Sequence, residues 1–201
     1  MAKADVWPVV HLERKALAAE LAGLRDDQWD RASLCDRWSV RDVLAHMTAT
    51  AEMTGPRFFA KLIGSGFSLT RLQTKDIARS RGATPADTLA AFERRVDTTT
   101  GPPGPAETML GETIVHAEDI RRPLGIAHTY PLDAVVRVAD FYKASNLIIG
   151  AKRRIATDRG RRAASHRHRV GARSGADGIR TDARARARDD RPPGCAPGPD
   201  G

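Results

Sequence analysis

Glu112 and His116 stand four residues apart in the stretch GETIVHAEDIRR, which is otherwise patterned like a buried helix. That spacing puts both side chains on one helical face. Carboxylate oxygen and imidazole nitrogen are ligands for a divalent metal of the zinc type, and catalytic sites commonly take three protein ligands and leave one position open. One helix supplies two ligands here, so a third must come from another element. His11, His46 and His128 are the other histidines of the patterned part of the chain. His46 is the best candidate, because it lies about two turns into a strongly patterned helix, on the shoulder of its apolar stripe. The competing reading is a set of packed or hydrogen-bonded histidines, since Glu-x-x-x-His also arises by chance.

Asp119 lies three residues after His116, and Asp42 four residues before His46. Each is spaced to accept a hydrogen bond from an imidazole and so orient it. Asp42 also has a capping role open to it, and Asp119 with Glu118, Arg121 and Arg122 also reads as a solvated helix end. Cys35 has nothing nearby in sequence that would depress its thiol pKa, and it reads as a small core residue near Trp38. Cys35 and Cys195 are far apart and lack Cys-x-x-Cys spacing, so a metal here relies on histidine and carboxylate.

The elements that must position these residues are helices. Val10, Leu17, Leu21 and Leu24 form one stripe of a helix over about 9–25, with Glu13, Arg14, Lys15 and Glu20 in polar positions. Ser39 and Asp42 form a capping box at the head of a second helix, which runs to about residue 54 behind Val40, Val43, Leu44 and Met47. Residues 55–83 read as a long crossover. Thr84 and Pro85 open a further helix whose Leu89, Phe92 and Val96 face inward. The helix with Glu112 and His116 spans about 106–122 and ends at Pro123 and Gly125. A last helix begins at Pro131, with Leu132, Val135, Val136, Ala139 and then Leu147 to Ile149 as apolar positions. The pattern is all-α, four long helices with one long connection, as in some four-helix bundles.

The 201 residues divide by composition near Ala156. Up to that point 22 Lys and Arg stand against 19 Asp and Glu, whereas the last 45 residues hold 11 Arg against 6 Asp, so most of the net +8 belongs to the tail. Residues 157–201 contain no aromatic and only Val170 and Ile179 as large aliphatics, and read as a disordered tail. Arg, Ala, Gly and Pro make up 30 of those 45 residues, the bias expected when a GC-rich gene is translated in a shifted frame. Arginine-rich tails attract phosphate, but this one has no aromatics for stacking and no helical stripe, which argues against a nucleic-acid partner. The chain has no apolar run long enough to span a membrane, and its first ten residues lack the apolar core of a signal peptide, so a cytoplasmic location is expected.

SLCDRWSVRDVLAHM followed by GETIVHAEDIRRPLGI resembles the metal-binding domain of the mycothiol-dependent maleylpyruvate isomerase family, part of the DinB-like metalloprotein group. The resemblance extends over about residues 12–154. It implies a DinB-like four-helix bundle over residues 1–156, with a divalent metal, zinc, held by His46, Glu112 and His116. It also implies mycothiol, a small thiol, at the open metal position and a small organic substrate beside it. The thiolate would add to the maleyl double bond, allow rotation and be eliminated, giving the fumaryl isomer; other relatives suit thiol transfer. Fuller-length relatives continue into a smaller α/β domain that helps form the cleft. Here the Arg/Ala/Gly/Pro tail takes that place, which leaves a non-catalytic metal-binding or interaction module as the alternative.

Overall fold

Capping chemistry sets the two best-defined helix starts. In a computed structural model, which describes residues 5–144, the Ser39 hydroxyl accepts from Asp42 N–H while the Asp42 carboxylate accepts from Ser39 N–H, opening α3 (Val40–Ala51). Thr84 and Asp87 make the same reciprocal pair ahead of α6 (Pro85–Glu93), with Pro85 in the first turn where its missing N–H costs nothing.

The described residues form eight helices and no named strand. Besides α3 and α6 these are α1 (Trp7–Leu21), α2 (Asp26–Trp29), α4 (Gly55–Gly64), α5 (Leu69–Ser80), α7 (Glu107–Leu124) and α8 (Leu132–Ala144). Helices α1, α6, α3 and α7 contact one another in a closed ring, α5 lies along α3, and α8 lies along α7. Leu17, Leu21, Val43, Leu44, Met47, Phe92, Ala117 and Ile120 fill the ring, and α2 adds Trp29. Phe92 is fully buried, a contribution of roughly 1.5–3 kcal/mol by removal of its ring from water. A second, smaller core joins Val6 and Val10 of the α1 end to Leu110 and Ile114 of α7 and to Ala134 and Val138 of α8.

The expected crossover over 55–83 is itself helical. Ser68 caps α5 through its hydroxyl, which accepts from Arg71 N–H. Only Leu72, Asp76 and Ile77 of α5 are buried, a stripe too narrow to stand out among Arg71, Lys75, Arg79 and Arg81. Helix α4 packs on α5 and has no fully buried residue.

Three further expectations need correction. Glu13 and Arg14 of α1 are buried rather than solvated. Leu132, Val135, Val136 and Ala139 of α8 face outward, because Ala134, Val138 and Tyr142 form the stripe that meets α7. Gly111 fixes that register: a β-carbon there would stand 2.7 Å from the Tyr142 hydroxyl. Finally, α7 continues through Pro123 to Leu124 and closes on Gly125 in the left-handed conformation. The expected helical positions 147–149, the tail 157–201 and Cys195 lie outside the described residues. No helix among the described residues is long and apolar enough to cross a membrane.

Candidate metal centre

Helices α3 and α7 pack side by side, and the second turn of each delivers its chemistry to the shared interface. His46 Nε2 of α3 lies 2.9 Å from Glu112 Oε1 of α7, and His116 Nε2 lies 3.5 Å from the same oxygen. All three donor atoms fall within 4.8 Å of one another. A tetrahedral metal with bonds of about 2.0–2.1 Å separates its ligand atoms by roughly 3.3 Å, so these distances bracket that edge. The structure therefore brings His46, Glu112 and His116 together. His11 faces the Thr98 carbonyl instead, and His128 sits between Glu13 and Glu20.

The donor set also passes a second test of fit. Glu112 Oε1 is buried and makes no hydrogen bond of acceptable geometry, despite the imidazole beside it. Buried carboxylate oxygens left without a partner are costly. The side chains of His46, Glu112 and His116 are 12, 19 and 17% exposed, enough for a ligand to reach them and too little for water to satisfy them freely. Trp38, next to the capping serine, lies over His46 with ring centroids 4.9 Å apart and shields one flank.

Electrostatics in the metal-free state follow from this crowding. Burial works to raise the Glu112 pKa, but His116 and His46 outweigh it and hold the carboxyl down at about 2. Burial likewise works against a charged His116, yet the Glu112 carboxylate and the bond to Asp119 push its pKa up to about 10. A proton thus occupies the place a metal would take, and metal binding must displace it.

His116 uses its other nitrogen for support. Its Nδ1–H donates to Asp119 Oδ2 at 3.0 Å, an arrangement that turns Nε2 toward Glu112. Asp119 therefore orients an imidazole. Asp42 does not: its carboxylate takes Ser39 and Arg81. Arg121 leaves the solvated helix end expected of it and is fully buried, while Arg122 remains exposed and pairs with Glu118 one turn away.

Cys35 is the residue that sequence reasoning missed. Its thiol donates to the same Asp119 oxygen at 3.0 Å and lies 3.6 Å from His116 Nδ1. Burial pushes the Cys35 thiol above its ordinary value, His116 opposes this without reversing it, and the Asp119 bond adds to it, in keeping with a thiol that donates to Asp119. The local signal was Pro123. Proline has no N–H for the carbonyl of the residue four before it, which is Asp119, and Leu34 N–H donates to that carbonyl at 3.1 Å. This bond seats the 33–35 loop on α7 and puts Cys35 against Asp119.

Cys35, His116 and Asp119 are themselves close enough to share a cation. Their polar atoms already satisfy one another, whereas Glu112 Oε1 on the other side of the imidazole is left over. The geometry therefore favours His46, Glu112 and His116 as the candidate ligands, with Asp119 and Cys35 behind them.

No curated protein and no solved structure matches the chain. Residues 10–101 match the family described as the mycothiol maleylpyruvate isomerase N-terminal domain. The matched segment runs from within α1 through α6 and includes His46, and α7 with Glu112 and His116 follows it. This match supports the family resemblance carried by SLCDRWSVRDVLAHM, which lies within the matched residues.

Proposed function

We propose that this protein binds one divalent metal, zinc, through His46, Glu112 and His116 and uses it to activate a small thiol, mycothiol, for cis–trans isomerisation or thiol transfer on a small organic substrate. The observation that carries the reading is Glu112 Oε1, buried between two imidazole nitrogens at tetrahedral edge distances and without a hydrogen bond from either. The ring of α1, α6, α3 and α7 serves as the DinB-like four-helix bundle, with α5 as an added wall. Facing helices of such a bundle are where metal sites are built.

When bound, the metal would hold a coordinated thiol in its deprotonated, nucleophilic form at neutral pH. The protein's own residues have separate tasks. Glu112 supplies the negative charge that offsets the metal, and Asp119 retains the proton on His116 Nδ1 so that Nε2 stays a free ligand. Cys35 holds Asp119 in place through its own hydrogen bond, and Trp38 keeps water off His46.

The direct test is metal analysis of the purified protein without chelators. About one equivalent of zinc is expected, and His116→Ala should abolish it. A full-length protein that stays metal-free when offered zinc would overturn the reading. A non-catalytic metal-binding module is the second reading, since the three candidate ligands all come from the helices themselves and hold a metal whether or not turnover follows. Incubating the zinc-loaded protein with mycothiol and maleylpyruvate separates the two: turnover supports an enzyme, and metal binding without turnover supports the module.

A further inference from the structure

Beside the candidate metal ligands is a cavity of about 90 Å³ that the reading above leaves unused. It lies between α3, α4, α5 and the loop before α7, and His46 forms part of its wall. Most of the rest is apolar, from Met53, Phe58, Leu69, Leu72 and Pro102. Thr50, Gln73 and Asp76 are its other polar members; Asp76 of α5 is the one with a charge, is 4% exposed and also borders two neighbouring cavities.

The two oxygens of Asp76 are treated differently. Oδ1 accepts from Lys61 Nζ at 2.8 Å, with Arg79 at 4.0 Å. Oδ2 is buried and has no partner. A buried acceptor without a donor costs on the order of 1–3 kcal/mol, more when the group is charged. Lys61 already balances the carboxylate, so what Oδ2 lacks is a hydrogen bond rather than a second cation. A further carboxylate in this small apolar space would face Asp76 at low dielectric and be repelled.

We infer that this cavity receives one short branch of the small thiol's organic portion, and that Asp76 Oδ2 accepts a hydrogen bond from an uncharged donor on that branch, a hydroxyl or amide N–H. The inference rests on the metal–thiol reading, because it needs the sulfur to sit at the position beside His46. It assigns Asp76 as a specificity residue: tails with an uncharged donor are preferred over plain alkyl tails, and acidic tails are excluded.

Cobalt-loaded protein tests this, since a thiolate on cobalt gives a sulfur-to-metal charge-transfer band. Alkanethiols, ω-hydroxyalkanethiols and ω-mercaptocarboxylates of matched and increasing chain length are titrated against that band. At the best-fitting length the hydroxyl tail should bind about tenfold tighter than the alkyl tail, and the carboxylate tail weaker than either. Asp76→Asn should recover carboxylate binding by about tenfold, with the cobalt content and ligand-field spectrum of the thiol-free variant showing that the fold and metal site are intact. Equal affinity for all three tails in the unaltered protein would overturn the role of Asp76. If no thiol produces the band, the metal–thiol reading itself fails, and the two failures are distinct.

Discussion

Helix α7 carries two buried charged clusters, and the protein completes one of them and not the other. Toward its end, Arg121 is fully buried and donates to Glu20 at 2.6 Å and to the Tyr130 hydroxyl at 2.6 Å. His128 bridges the two carboxylates, with Glu13 at 2.8 Å and Glu20 at 3.1 Å, and Tyr130 passes its own proton toward Glu118 at 2.9 Å. A single guanidinium nitrogen, Nη2, is left without a partner. Two turns earlier, Glu112 has two imidazoles at hand, an unsatisfied oxygen between them and partial access to solvent. Buried charges that close on protein partners tie helices together; buried charges that remain open specify a ligand.

Substitutions can break that contrast. The largest effect belongs to the closed cluster: Arg121→Ala leaves Glu13 and Glu20 without their cation and should cost about 3–5 kcal/mol in denaturant unfolding. Metal content of the protein that remains folded should stay at one equivalent. A parallel loss of metal from fully folded protein would show that the clusters are not separate.

Glu112→Gln should behave in the opposite way, lowering zinc affinity by more than about a hundredfold, read by competition with a chromogenic chelator. The metal-free protein should lose about 1–3 kcal/mol, because the carboxylate charge that faces His116 and His46 is removed. Heavy destabilisation of the metal-free form would place Glu112 with the structural cluster instead.

Asp119→Asn sharpens the comparison within the open site. It removes the acceptor that fixes His116, and zinc affinity should fall about 10–100-fold with the three ligands still present. The smallest effect is expected of Gly111→Ala, which meets the far end of the Tyr142 side chain and should cost about 1 kcal/mol in thermal or denaturant unfolding, with zinc affinity nearly unchanged.

What could be read from the chain depended on how local its physics was. The capping boxes at Ser39 and Thr84 involve residues three apart, and both helix starts stand where the residues placed them. The i, i+4 relation of Glu112 and His116 is equally local, and His46 was chosen on its place beside an apolar stripe, where it does meet them. The burial of Arg121 was not legible, because its partners come from α1 and from the segment after α7. Helix α5 was obscured by its charges, although one of them, Asp76, is buried by a lysine from α4. The Cys35 thiol looked inert because its polar contacts, His116 and Asp119, are both on α7, far along the chain. The outward face of α8 was misassigned because the side chain that sets its register, Tyr142, needs a gap at Gly111 on another helix.

The missing N–H of Pro123 gives the site a condition for existing at all. Because Leu34 takes up the Asp119 carbonyl, the end of α7 and the loop ahead of α3 are completed by each other, and neither is finished while the intervening helices are unfolded. Assembly of the three ligands is thereby tied to cooperative closure of the whole ring rather than to any one segment. A chain stopped at the end of the matched family segment would retain His46 and its cap, but neither of the ligands it works with.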